Sequence, residues 1–298
     1  MQTKLRVPVR WLLVGLVLTA VVSLLAWKHG QGLPPPDGIT VPDGGTTVPM
    51  LDVGGRPAVE AKVNGKGPYL FLLDTGASAN VLFPDVIREA ALPATPGLGG
   101  ISLVRMDEVR IGDATLTGVT AAQILFLAGL AGDRPPQGVL SASGFPGCLV
   151  TLNYPARRVT IRKGALPTPD DRRVFQYLAE DTLPRVPVRI AGHEYRLHVD
   201  SGAPGGLTLP LRYEHDLPLS DTPTQVRSAR TNAGEFPVFR ASVSGAVTLG
   251  EYSLDVTEIE FSDLRPSAAP PVGTIGSRIL GQFVLTVDAK NHRVKLDR

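Results

Sequence analysis

Cysteine is almost missing from this chain. Cys148 is the single thiol in 298 residues, so no intrachain disulfide can form, and with no motif beside it the residue reads as a small core side chain rather than a nucleophile. The signatures of several enzyme classes are missing too. No Gly-x-Ser-x-Gly surrounds Ser141 or Ser143, and no Gly-rich loop with a following Lys succeeds an apolar strand, which excludes a serine-hydrolase elbow and a phosphate-binding loop. His193 and His198 are five apart in a segment that reads as a strand, so they would face opposite sides; no metal is expected there and no cofactor elsewhere. Acidic residues are absent from the first 28 positions, where Lys4, Arg6, Arg10 and Lys28 lie. The net charge is +2, from 30 cations and 28 acids; without those four cations the remainder holds 26 against 28. A body with no basic excess is not expected to take nucleic acid as a partner. Arg157-Arg158 and Arg172-Arg173 read as solvated charges near turns.

What the N-terminus does have is one long apolar run. Trp11 to Trp27 is 17 residues without a charge, with an aromatic at each end. As a helix it would extend roughly 25 Å, enough to span a bilayer with little to spare. Three cations before it and one just after favour a cytoplasmic N-terminus, and Ser23-Leu24-Leu25-Ala26-Trp27 lacks a clear small-x-small cleavage site. Residues 1–29 are therefore expected to be an uncleaved, single-pass anchor in the cell inner membrane, with the body periplasmic or extracytoplasmic. Residues 30–47, with Pro34-Pro35-Pro36 and Gly44-Gly45, read as a tether from which no core can be built.

From Val48 to Arg298 no long stretch carries apolar residues at helical spacing, whereas short runs of Val, Ile, Leu and Thr alternate with Gly, Pro and Asp turns. That pattern predicts an all-β body. Its halves, 48–165 and 172–298, share a plan. Strand signals at Ala58–Val63 and Tyr69–Leu73 lead to Asp74; Arg185–Ile190 and Glu194–Val199 lead to Asp200. Short apolar segments follow each Asp, at 80–84 and 206–210. Later come strand-turn-strand signals at 109–116 and 247–254, then closing pairs at 149–153 with 158–161 and 284–288 with 293–296. The second copy lies 126 residues on at the Asp, 138 at Gly112 and Gly250, and 135 at Arg158 and Arg293. Four landmarks in one order at a nearly constant offset indicate duplication. Two such lobes can pack about an approximate two-fold axis, where an element near the axis faces its own counterpart. The apolar run Ala121–Leu130 reads as core, either a buried strand or a short helix.

Two carboxylates brought together cannot both ionise cheaply, so such a pair holds one proton and titrates as a unit. The ionised member can take a proton from a water lying between them while the other hydrogen-bonds an amide carbonyl, so peptide hydrolysis needs neither metal nor covalent intermediate. Gly76 and Gly202 leave room beside each Asp, and the hydroxyls of Thr75 and Ser201 can lock the two loops to each other.

Through Asp74-Thr75-Gly76-Ala77-Ser78 and Asp200-Ser201-Gly202-Ala203 the sequence resembles the aspartic proteases, most closely the retropepsin-like group, over roughly Val48 to Arg298. The resemblance implies two pepsin/retropepsin-like β-barrel lobes about a pseudo-two-fold axis, preceded here by one transmembrane helix. It also implies a cleft between the lobes with Asp74 and Asp200 catalytic, and β-hairpin flaps closing over a polypeptide substrate. A two-lobed chain of this kind is expected to act as a monomer. Ala77 and Ala203 stand where pepsin-type enzymes carry Ser or Thr, and losing that hydroxyl moves the expected activity away from strong acid. Three departures from the family pattern stand out. Val139-Leu140-Ser141 lacks the final Gly of the element behind the first loop, Thr274-Ile275-Gly276 has Thr at an apolar position, and Pro204 matches Ser78. Flap tips are expected at Gly97, Gly99 and Gly100, and at Asn232 and Gly234 within 226–239. The reading is a membrane-anchored aspartic endopeptidase; the alternatives are an inactive peptide-binding module of the same fold and, third, a purely structural domain.

Overall fold

The computed structural model describes residues 33–96, 101–124, 134–179, 181, 183–231, 234–263 and 271–298. Three sheets account for nearly all regular structure among the described residues. The first contains β1 (Gly38–Thr40), β3 (Leu51–Asp52), β4 (Pro57–Val63), β5 (Lys66–Asp74), β6 (Asn80–Leu82), β7 (Ala94–Pro96), β8 (Ser102–Ile111), β9 (Ala114–Gln123) and β10 (Gly138–Ser141). Its order β9-β6-β10-β5-β4-β8 returns from β8 to β9 and so closes a six-stranded barrel. The third sheet contains β14 (Arg185–Ile190), β15 (His193–Val199), β16 (Leu207–Leu209), β17 (Thr224–Thr231), β18 (Gly234–Ser242), β19 (Val247–Leu249), β20 (Tyr252–Leu254), β21 (Glu258–Phe261) and β22 (Thr274–Ile275). The remaining sheet is antiparallel and contains β2 (Thr46–Pro49), β11 (Cys148–Asn153), β12 (Arg158–Lys163), β13 (Val174–Gln176), β23 (Val284–Asp288) and β24 (Arg293–Asp297), in the order β13-β24-β23-β11-β12-β2. Strands from both halves of the chain meet in it, where Thr151 is opposite Thr286.

Why the strand before Asp74 is an unbroken apolar run follows from what it separates. Alternate side chains of a strand point to opposite faces. Tyr69, Phe71 and Leu73 enter the main core, whereas Leu70 and Leu72 enter a second cluster with Ala77, Val81 and Val139. Burying Phe71 and Leu72 completely contributes about 2 kcal/mol each. Asp74 thus ends a strand fixed from both sides. Before Asp200 the pattern is half as demanding: Tyr195, Leu197 and Val199 are buried, and Glu194, Arg196 and His198 alternate with them. The hairpin turn into β5 is Asn64-Gly65, with φ of 49° and 76°, the left-handed pair that suits a two-residue connection between twisted strands. Ala191-Gly192 repeats this geometry into β15, at φ 49° and 91°.

One expectation is corrected. The stretch read as a tether contributes Gly38–Thr40, which pairs with β9, and Thr46–Pro49, which pairs with β12. An edge strand needs free backbone partners rather than apolar side chains, and Thr46 is buried with its Oγ1 accepting from Asp113 N at 3.1 Å. The short apolar segments after each Asp supply β6 and β16. A helix, α1 (Pro84–Glu89), follows β6, and a 3-10 turn, Leu211–Asp216, follows β16. Of the apolar run Ala121–Leu130, Ala121–Gln123 ends β9 and 125–130 lie outside the described residues. The anchor at 1–29 also lies outside them; among the described residues no helix is long and apolar enough to cross a membrane.

Candidate active site

Asp74 ends β5 and Asp200 directly follows β15, and each of these strands is backed by a second strand in parallel. Val139, Leu140 and Ser141 of β10 are opposite Leu72, Leu73 and Asp74, and Thr274 and Ile275 of β22 are opposite His198 and Val199. The loops after the strands meet through their hydroxyl residues. Thr75 Oγ1 donates to Val199 O at 2.6 Å and accepts from Ser201 N at 2.9 Å; Ser201 Oγ donates to Leu73 O at 2.8 Å and accepts from Thr75 N at 2.9 Å. All four bonds are buried, which makes the junction rigid and leaves no water to replace a lost partner.

Ser201→Ala should therefore lower stability by about 3 kcal/mol, since it leaves Thr75 N–H and Leu73 C=O buried without a partner. Ser201→Thr should restore most of it. Urea unfolding of the two variants reads the difference; equal midpoints for wild type and Ser201→Ala would contradict the role given to this junction.

The junction brings Asp74 and Asp200 against each other. A Cβ on Gly76 would lie 2.5 Å from Asp200 Cγ, and one on Gly202 would lie 2.6 Å from Asp74 Cγ, so each glycine makes room for the opposite carboxyl. Gly76 N donates to Asp74 Oδ1 at 2.7 Å, and Ala203 N to Asp200 Oδ1 at 3.0 Å. Among the described residues Asp74 Oδ2 makes no hydrogen bond of good geometry, although the Asp200 carboxyl is near enough to act on it. The carboxyls are 1% and 2% exposed. Burial pushes the Asp74 pKa up, against the pull of the Gly76 and Gly202 N–H groups, Arg56 and Asp200. Burial, and next the charge of Asp74, push Asp200 up to about 8; the N–H groups of Ala203 and Gly202 and the Arg56 cation oppose the rise. Both shifts favour retention of a proton by the pair above the ordinary carboxylate range.

The elements behind the loops differ as their sequences do. Ser141 Oγ donates to Ala77 O at 2.5 Å, and Ser141 N donates to Asn80 Oδ1 at 3.0 Å, so a side chain is accommodated where the family pattern has Gly. At Gly276 it is not: a Cβ there would lie 2.7 Å from Ala203 O. Ser277 N donates to that same oxygen at 2.7 Å, and Ser277 Oγ donates to Ser201 O at 2.7 Å. Ser78 Oγ is buried and has no hydrogen-bond partner among the described residues, and Pro204, at the matching place, packs beside Gly55.

Three contributors to the site escaped the sequence reading. Arg56, 6% exposed, donates Nε to Gly202 O at 2.7 Å and Nη1 to Gly54 O at 3.2 Å. Burial lowers its pKa, opposed by Asp74, Asp200 and Asp52. Between Gly55 and Pro57 it looks like any turn cation, so the sequence carried no signal for it. Ser277 and Tyr154 lie against Ser201 of the second loop, and burial raises the Tyr154 pKa. Of the expected flap tips, Gly97, Gly99, Gly100 and Asn232 lie outside the described residues. Gly234 opens β18, where it is opposite Thr231 in a hairpin with β17. His198 accepts from Arg185 Nε at 2.7 Å, and burial, then Arg185, hold its pKa down at about 3; His193 is exposed. Among the described residues no group of His, Cys, Asp or Glu is arranged to hold a metal.

Residues 59–143 match the family model described as aspartyl protease. No curated protein matches the chain.

Proposed function

We propose that this chain, whose family match and closed six-stranded barrel fit a retropepsin-like aspartic protease, is an endopeptidase that hydrolyses polypeptides with water activated by Asp74 and Asp200. The observation that carries the reading is the reciprocal locking of the two Asp loops, which presses the carboxyls together with the pair's pKa values raised. The ionised carboxylate takes a proton from the water as its oxygen attacks the amide carbon, and the protonated partner hydrogen-bonds to the carbonyl oxygen and stabilises the tetrahedral diol. Collapse breaks the C–N bond, with a proton passing to the leaving nitrogen. No covalent enzyme intermediate forms.

The reading includes two lobes related by an approximate two-fold axis and sufficient as a monomer. Reciprocity supports it. The Thr75 and Ser201 bonds exchange roles at the 126-residue offset, and Thr151 pairs with Thr286, its counterpart at offset 135, with the hydroxyls 3.0 Å apart. It also includes a membrane anchor at 1–29 with an exported body, supported by the uncharged run and its flanking cations. One observation favours the alternative of a peptide-binding module without turnover: the two carboxyls have almost no exposure.

Incubating the full chain with an unstructured peptide pool in H2(18)O decides between them. An endopeptidase yields internal cleavages whose new carboxylates carry one solvent oxygen after a single turnover. Peptides retained but never cut would overturn hydrolysis in favour of the module.

A further inference from the structure

Beside the second Asp loop lies a cavity of about 470 Å³ whose walls include Arg56, Arg157, Arg278, Asp52, Tyr154 and Pro204. Among the described residues its charge is one-sided, with three guanidinium groups against a single carboxylate. Asp52 accepts from Gly55 N at 3.1 Å, and Arg56 is held by Gly202 O and Gly54 O. Arg157 and Arg278 are different. Both are exposed, and among the described residues neither side chain makes an ion pair or hydrogen bond. Arg278 reaches over the loop itself, because a Cβ on Gly206 would lie 2.7 Å from its Nη2. The acid nearest Gly205 is already matched: Glu260 Oε2, 3.8 Å from a Cβ placed there, belongs to a carboxylate that accepts from Arg227 at 2.6 Å and Arg240 at 3.0 Å.

Like charges gathered in one cavity repel unless an anion joins them, and the planar fork of an arginine suits a carboxylate. The volume takes one or two amino-acid residues, not a folded partner. Through Pro204 and Arg56 the cavity adjoins the loop that carries Asp200, so an occupant and the dyad can share one extended chain.

We propose that this cavity is a specificity subsite for a carboxylate of the peptide substrate, with Arg157 and Arg278 as its clamp and Arg56 as its fixed inner charge. This rests on the peptidase reading above, and the carboxylate is that of an acidic side chain or of the peptide's C-terminus. It gives Arg157, which in the sequence looks like a solvated turn charge, a ligand to bind.

The test uses one cleaved octapeptide remade with Glu or Gln at each position in turn, with free and amidated C-termini. For the full chain, kcat/KM should favour Glu over Gln about tenfold at one position, equivalent to about 1.4 kcal/mol. Preference for the free over the amidated terminus, in place of a Glu position, would assign the terminal carboxylate as the source. In Arg157→Gln/Arg278→Gln the ratio should fall toward one. Ratios near one throughout the wild-type series, or a ratio unchanged in the double variant, would overturn the subsite while leaving the protease reading intact. If no peptide is cleaved, the protease reading falls, and binding of fluorescent Glu and Gln octapeptides to the chain decides the subsite. Tenfold tighter binding of a Glu peptide, lost in the double variant, supports it; equal binding overturns it.

Discussion

Asp74→Asn or Asp200→Asn should reduce kcat for peptide cleavage by a factor of about 10³–10⁴, and the double variant should be little worse than either alone, because the two carboxyls act as one unit. The same variants should melt higher than wild type at pH 8. Asp200 is pushed up to about 8 in the fold, from an ordinary 3.8, chiefly by burial. Folding that raises an acid's pKa is favoured below the unfolded value, and that advantage is lost as pH rises toward the folded value. Asn carries no charge to bury. The gain should be near zero at pH 4 and reach several degrees by pH 8, measured by calorimetry across that range. Activity needs the pair to hold one proton, so cleavage should fall above about pH 8. Neither Ala77 nor Ala203 supplies a hydroxyl to stabilise a charged carboxylate in acid. A pH-rate profile peaking near pH 2 would contradict the account, as would variants that keep cutting.

Arg56→Met should have the second largest effect. Arg56 fixes the second loop by its bond to Gly202 O and is the cation that most affects both carboxyls. Removing it strands a buried carbonyl and takes away the charge that holds both pKa values down. Breaking a buried charged contact of this kind costs about 3–5 kcal/mol. Stability in urea should fall by that order, and the alkaline limb of the pH-rate profile should move upward. Arg56→Lys should recover little, because an ammonium group cannot present the fork that spans Gly54 O and Gly202 O. An unshifted alkaline limb in Arg56→Met would remove Arg56 from the electrostatics of the site.

How much of this was legible in the sequence depended on whether the signal was local. Arg185–Ile190 is recovered with both ends right, because a Gly-containing turn bounds a β-branched run. The repeated Asp-hydroxyl-Gly-Ala motif led to both carboxyls and to the two hydroxyls that lock their loops, since one short pattern carries all of that chemistry. Helix α1 carries a local signal, Pro84 at its first position with Asp85 in its first turn, but at six residues it is too short to show a helical apolar period. Gly38–Thr40 could not be read, because its only qualification is the free edge of β9, which lies more than 70 residues away. Arg56 fails for a similar reason. What makes it part of the site is a carbonyl 146 residues on, and nothing beside it in the sequence distinguishes it from a solvated turn residue.

The claim everything else depends on is that the carboxyls of Asp74 and Asp200 share one proton. Carbon-13 carboxyl titration of the full chain, with the two signals assigned through the Asn variants, tests it most directly. The account expects both signals to respond to each other's ionisation, the last proton to leave near pH 8, and the Asp200 midpoint to move down in Asp74→Asn. Two independent titrations near the ordinary value of 3.8, each unchanged by loss of the other carboxyl, would contradict it.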